Sequence, residues 1–348
     1  MSAHTRTGAL MAMSAAGALV ASLMTVAPAS AQGASPDERT AGSDARQATT
    51  HIVRGLDNVR QISFTASGRL LVSEAGHGRW GRGACRPGGT SDADCIGRTG
   101  RIRSMTAAGT KRRTVASRLP SNRTAFETFA AGVAGVDRRP GGSVYATFST
   151  YAPGKYAGKV VRVTKRGKLR VVARPRFDGR RADPGDVVAL RRQVLVLDHL
   201  SKTVLRLRNG RLRTWYRAPR PAGAPNAPVV NALSHGADGR VYAVVAEDSS
   251  TNAPTRVVRL NAAGRTLRTW VTPQPVSEAT ATSDGVVWVD EIEGPIRRVD
   301  GAGPSFAVPS SGSLAARGTR LYATAHAWNT RRSYPPGSPA GQVWRLTP

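Results

Sequence analysis

Apolar residues fall along this chain in short runs that repeat. One set of runs is nearly continuous in β-branched, aromatic and aliphatic residues: Arg69-Leu-Leu-Val72, Ser143-Val-Tyr-Ala146, Gln193-Val-Leu-Val-Leu197, Arg240-Val-Tyr-Ala-Val244, Gly285-Val-Val-Trp-Val289 and Arg320-Leu-Tyr-Ala323. A second set follows each of these and alternates apolar residues with arginine: Arg101-Ile-Arg103, Val160-Val-Arg-Val163, Val204-Leu-Arg-Leu207, Val257-Val-Arg-Leu260, Ile296-Arg-Arg-Val299 and Val343-Trp-Arg-Leu346. A period of two is that of a strand with one packed and one wet face. Most units go on through a glycine turn into a further strand, as in Asn209-Gly-Arg-Leu-Arg-Thr-Trp215 and Ala263-Gly-Arg-Thr-Leu-Arg-Thr-Trp270. Asn-Gly and its kin accept the positive φ of tight hairpins. No unit has helical spacing.

Six near-copies of a four-strand unit, spaced some 35–60 residues apart, predict an all-β chain folded as a six-bladed β-propeller of antiparallel blades. The ends of the chain agree. The sixth unit stops after its third strand at Leu346, while an orphan strand, His51-Ile-Val-Arg54, precedes the first. If the orphan strand completes the last blade, the ring is locked and its open edges are satisfied. A β-sandwich would not need six such copies. The propeller is expected to span residues 51–348.

The residues before it read differently. Arg6, an uncharged Ala/Leu/Met/Val-rich stretch from Gly8 to Val26, and Ala29-Ser30-Ala31 form the pattern of an export signal over residues 1–31, cleaved before Gln32. Residues 32–50 are polar and lack the apolar side chains that would offset ordering, so they are expected to form a flexible leader. The protein is therefore expected to be secreted and extracellular, and Cys85 and Cys95, close together in a Gly-rich loop, read as one disulfide.

Charge changes the picture less than its size suggests. The formal net charge is +29, and only 6 of the 51 basic residues are lysines. The arginines are spread over every repeat, which suits solvated outer strands with a weak attraction to anionic wall polymers; nucleic acid is not an expected partner.

From Gly55 onward the chain resembles the ScyD/ScyE family of exported propeller proteins. The resemblance rests on Gly55-Leu-Asp-Asn-Val-Arg60, Ser67-Gly-Arg-Leu-Leu-Val-Ser-Glu-Ala-Gly76, the cysteine-bearing insertion, Thr99-Gly-Arg-Ile-Arg103 and Leu119-Pro120. It implies architecture and export, and carries no catalytic set; the arginine bias departs from it.

Propellers place function on the loops after second strands and before first strands. Ten of the 22 acidic residues fall there: Glu74, Asp198, Glu247, Asp248, Asp290, Glu291 and Glu293 after second strands, and Asp183, Asp186 and Glu278 near first-strand entries. Gathered at one mouth, such carboxylates bind a divalent cation such as calcium or tune one another for proton transfer; dispersed, they pair with arginine. His77, His199 and His326 are placed at the same end, Tyr151 and Trp328 are candidates for an aromatic wall, and His235 is placed on the opposite rim. No P-loop, Gly-x-Ser-x-Gly or His-Glu-x-x-His occurs. The leading expectation is a non-enzymatic extracellular protein that binds a small ligand, glycan or envelope partner. The alternative is a metal-assisted propeller enzyme of the lactonase or streptogramin-lyase type.

Overall fold

The computed structural model describes residues 49–78, 96–123, 130–220, 226–248, 254–327 and 340–348. The expected export signal, the leader up to residue 48, the Cys85/Cys95 loop and Trp328 lie outside them.

Six antiparallel sheets follow one another along the chain. Their innermost strands are Val59–Phe64, Val133–Arg138, Pro184–Ala189, Val229–His235, Val276–Ala281 and Leu314–Arg317. Each packs on the next, and Leu314–Arg317 packs back on Val59–Phe64, which closes the ring. Ile62 N donates to Ser313 Oγ across this seam at 3.2 Å. The fold is a six-bladed β-propeller.

The last blade is closed as expected. Thr49–Leu56 forms its outer strand, with His51 opposite Trp344 and Val53 opposite Val343. Thr49 and Thr50 already belong to this strand, so the ordered ring begins two residues inside the segment read as leader. The glycine of a blade 1 turn fits tightly against it: Gly109 has φ +74°, and a Cβ there would stand 1.9 Å from Ile52 O. Two additions were not foreseen. Blade 1 carries a fifth short strand, Ala130–Ala131, and a small hairpin, Arg176–Phe177 with Arg180–Arg181, stands between blades 2 and 3. The one helical turn among the described residues is Gly154–Tyr156.

The core is divided among the blade interfaces. One apolar cluster fills each of the six junctions between neighbouring blades. Second strands lie in the middle of a blade and feed both sides: Leu70 and Val72 go to the junction with blade 6, Leu71 to that with blade 2. A strand buried on both faces needs an unbroken apolar run, which is what these segments have. Third strands correct the expectation of one wet face, because they too are partly buried twice over: Val160 and Val161 enter different clusters, while Arg162 is half-buried. Each fully buried Val or Leu contributes about 1.5–3 kcal/mol. Trp215 is buried between blades 3 and 4, with Nε1 donating to Ala262 O at 3.3 Å. Trp270 and Trp344 pack against the junctions on either side of blade 5.

Candidate functional site at the channel mouth

Five of the six inner strands share one irregularity. Pairing with the second strand slips between Val59 and Ile62, Val133 and Val136, Pro184 and Val187, Val230 and Ala232, and Val276 and Glu278. The third residue of these strands is Gln61, Gly135, Asp186, Asn231 and Glu278 in turn. A slip of this kind frees backbone groups and re-aims a side chain. Side chains of the second strands take up the freed groups: Ser73 Oγ accepts from Gln61 N at 2.9 Å and donates to Ala134 O at 3.2 Å, and Thr147 Oγ1 accepts from Gly135 N at 2.7 Å and donates to Gly185 O. Gln61 joins three blades, its Oε1 accepting from Val136 N at 2.8 Å and Val187 N at 3.2 Å.

The re-aimed polar residues line the axial channel. At the mouth, on the side of the loops that follow the second strands, a cavity of about 310 Å³ is bordered by Arg60, Asp186, His199, Asn231, Ser277 and Glu278 among others. Glu278 also borders a cavity of about 280 Å³ on the opposite side, so it stands at the waist of the channel. Only 4% of it is exposed, and its Oε1 accepts from Ala279 N at 3.2 Å. Burial pushes its carboxyl well above the usual carboxylate range, with the neighbouring Asp186 and Asp290 charges adding to the effect. Burial likewise raises Asp186, against the pull of His199 and of Leu233 N, which donates to Oδ2 at 2.9 Å. Burial thus biases Glu278 toward its neutral form, which can donate as well as accept. Arg60 reaches in from blade 1, donating to Ala130 O; burial lowers its guanidinium to about 10, so it stays charged.

His199 is placed by backbone. Asp198, fully buried, accepts from Asp183 N at 2.9 Å and from Leu200 N and Ser201 N at 3.3 Å each, and His199 N donates to Asp183 O at 3.0 Å. The imidazole then lies over Gly185, where a Cβ would meet Nε2 at 2.3 Å. Only glycine leaves room for the ring at the channel edge.

Of the expected acidic mouth, Asp183, Asp186 and Glu278 therefore border the cavity and the others do not. Glu74 is fully buried; its Oε2 accepts from Asp57 N at 2.8 Å, and Arg103 Nε stands 2.6 Å from Oε1, close but out of line for a hydrogen bond. Asp290 accepts from Ser277 Oγ at 2.9 Å and Ser311 Oγ at 2.6 Å. Glu291 pairs with Arg297 at 2.5 Å and Glu247 with Arg256 at 3.2 Å, while Asp248 is half-buried outside the cavity lining. His77 Nδ1 is 2.5 Å from Asp57 Oδ2. His326 sits in a left-handed turn, φ 51°, with its N–H on Pro309 O, and burial lowers its imidazole. Tyr151 is 60% exposed and forms no wall of the cavity. Among the described residues no three His, Cys, Asp or Glu side chains converge to hold a metal ion. The carboxylates are held one by one by arginine, hydroxyl or backbone N–H, so they do not fit the many-oxygen shell that calcium takes.

The opposite mouth holds a residue that the sequence reading passed over. Asp137 is 4% exposed; Oδ1 accepts from Arg138 N and Oδ2 from Ala189 N, both at 2.7 Å. Burial pushes its carboxyl up to about 7, against these two backbone donors and the Ser63 hydroxyl. His235 borders the same cavity, on the rim expected for it, and burial lowers its imidazole.

No family profile and no curated protein matches the sequence. Solved structures do. The PQQ-bound form of aldose sugar dehydrogenase from Streptomyces coelicolor superposes with a TM-score of 0.51 at 13% identity, over 87% of this chain and 99% of that one. The calcium-binding protein regucalcin from Agrobacterium tumefaciens str. C58 gives 0.50 at 13% identity, over 85% and 93%. Virginiamycin B lyase from Staphylococcus aureus gives 0.46 at 16% identity, over 79% and 81%. At these identities the likeness is one of fold.

Proposed function

We propose that the chain is a non-enzymatic extracellular binding protein of the ScyD/ScyE type whose channel mouth takes a sugar-sized polyhydroxylated ligand. One observation carries this reading: Asp186, Asn231 and the buried Glu278, brought to one cavity of about 310 Å³ by the same slip in three inner strands, with His199 beside them. Two carboxyls that burial biases toward the neutral form, beside an amide, together match the paired donor and acceptor character of hydroxyl groups. The volume is that of a small ligand site.

Differential scanning fluorimetry with glucose, myo-inositol, glycerol and calcium chloride tests it. A polyol is expected to raise the melting temperature in proportion to the logarithm of its concentration, and Asn231→Ala or Asp186→Asn is expected to abolish the rise. A shift with calcium alone, or none with any polyol, would overturn the reading. The same Glu278 supports a second one, a propeller enzyme working by proton transfer between Glu278 and the Asp186–His199 side of the cavity. Chemical change of a bound polyol, followed by NMR and lost in Glu278→Gln, would favour it.

A further inference from the structure

Arginines of the third strands are paired in three blades. Arg103 meets Glu74, Arg256 and Arg259 meet Glu247 and Asp238, and Arg297 meets Glu291. The third-strand arginines of blades 2, 3 and 6 have no such ion pair among the described residues, and arginine faces arginine once in blade 2, Arg162 opposite Arg170, and once in blade 4, Arg259 opposite Arg268; blade 3 differs in setting two such pairs in succession. Its third and fourth strands, Thr203–Arg208 and Arg211–Tyr216, set Arg206 directly opposite Arg213 and Arg208 directly opposite Arg211. Directly opposed residues of an antiparallel pair share a face with Cβ atoms about 5 Å apart, and like charges there are destabilising. Arg191 and Arg192 extend the row across an open groove that ends at Ala262 and Ala263 of blade 4. All but the half-buried Arg206 are exposed. None of the six makes an ion pair or side-chain hydrogen bond among the described residues.

We propose that this groove on blade 3 binds an extended phosphodiester polymer through its backbone phosphates. Residues two apart on a strand repeat every 6.6–6.8 Å or so, which gives two parallel rows of guanidinium groups, and guanidinium takes phosphate oxygens in a fork. The repulsion that four opposed arginines impose on the folded chain is relieved when anions lie between them. The chemistry favours a polymer without bases. Single-stranded nucleic acid is held by aromatic platforms, and Trp215, the aromatic residue of these two strands nearest the groove's blade 4 edge, is buried with its N–H on Ala262 O. This groove is separate from the channel mouth and does not depend on what the mouth binds.

The test is an anisotropy titration of labelled poly(glycerol phosphate) and of an oligothymidylate of equal charge, between about 50 and 200 mM salt. The triple variant Arg208→Gln/Arg211→Gln/Arg213→Gln is compared with Lys111→Gln/Arg113→Gln/Arg320→Gln, which removes the same charge from exposed positions on other blades. The blade 3 variant is expected to bind poly(glycerol phosphate) at least tenfold more weakly and to lose about 2 from the log–log salt slope, at ~0.7 per contact. The control is expected to change affinity less than threefold. The blade 3 variant should also melt at or above the temperature of the parent, since opposed like charges have been removed. Equal losses in the two variants would reduce the effect to diffuse attraction and overturn the proposal. So would a lower melting temperature of the blade 3 variant, absence of binding at low salt, or tighter binding of the oligothymidylate.

Discussion

Asp137 makes folding stability depend on pH in an unusual direction. Its carboxyl titrates near 7 in the folded chain, against about 3.9 in an unfolded one. With the folded value above the unfolded one, the group's stabilising contribution is complete below about pH 4. It is lost as pH rises toward 7, where the unfolded chain has released a proton that the folded chain still holds. At 1.36 kcal/mol per unit, the loss between pH 4 and 7 comes to about 3 kcal/mol. Asp137→Asn removes this titration. It also turns an amide toward one of the two backbone N–H groups that the carboxyl now accepts from, a penalty of about 1–3 kcal/mol that does not vary with pH. Stability differences at one pH therefore say little, and the slope decides. Urea unfolding followed by tryptophan fluorescence at pH 4, 5, 6 and 7 should show the parent losing about 3 kcal/mol relative to the variant across the range. Parallel curves would refute the claim that burial raises the Asp137 carboxyl at the opposite mouth.

Three further perturbations follow from the same structure. Leu56→Ala empties a fully buried position where the closing strand meets blade 1, and should lower the unfolding free energy by about 3 kcal/mol in urea titration. Glu74→Gln keeps an acceptor for Asp57 N–H but leaves Arg103, 17% exposed, without its charge partner; a loss of about 2 kcal/mol by the same assay is expected. Gly185→Ala should drive the His199 ring from the channel edge, so that the polyol-induced melting shift shrinks while the melting temperature of the free protein, whose His199 is exposed, changes little.

What the sequence determined on its own was the repeat and its closure. Strand periodicity is local, so the runs at Leu70–Glu74 or Val194–Asp198 announce themselves without any knowledge of their neighbours. The missing fourth strand after Leu346 and the spare one at His51 required only counting. The candidate site was half legible. Asp186 and Glu278 were recognised near first-strand entries, yet Glu74, Asp198 and Glu291, after second strands, were placed at the same mouth, and nothing local separates a side chain aimed down the channel from one turned to an arginine. The missing signal was present: a polar residue, Gln61, Asp186, Asn231 or Glu278, stands third in four of the inner strands, though it appears only once those strands are aligned with each other. Tertiary structure decided the rest, because direction in a strand is set by register. One slipped pair in each of their strands aims these residues into the channel, burial then raises the carboxyls of Glu278 and Asp137, and pairing across a hairpin puts arginine opposite arginine on blade 3.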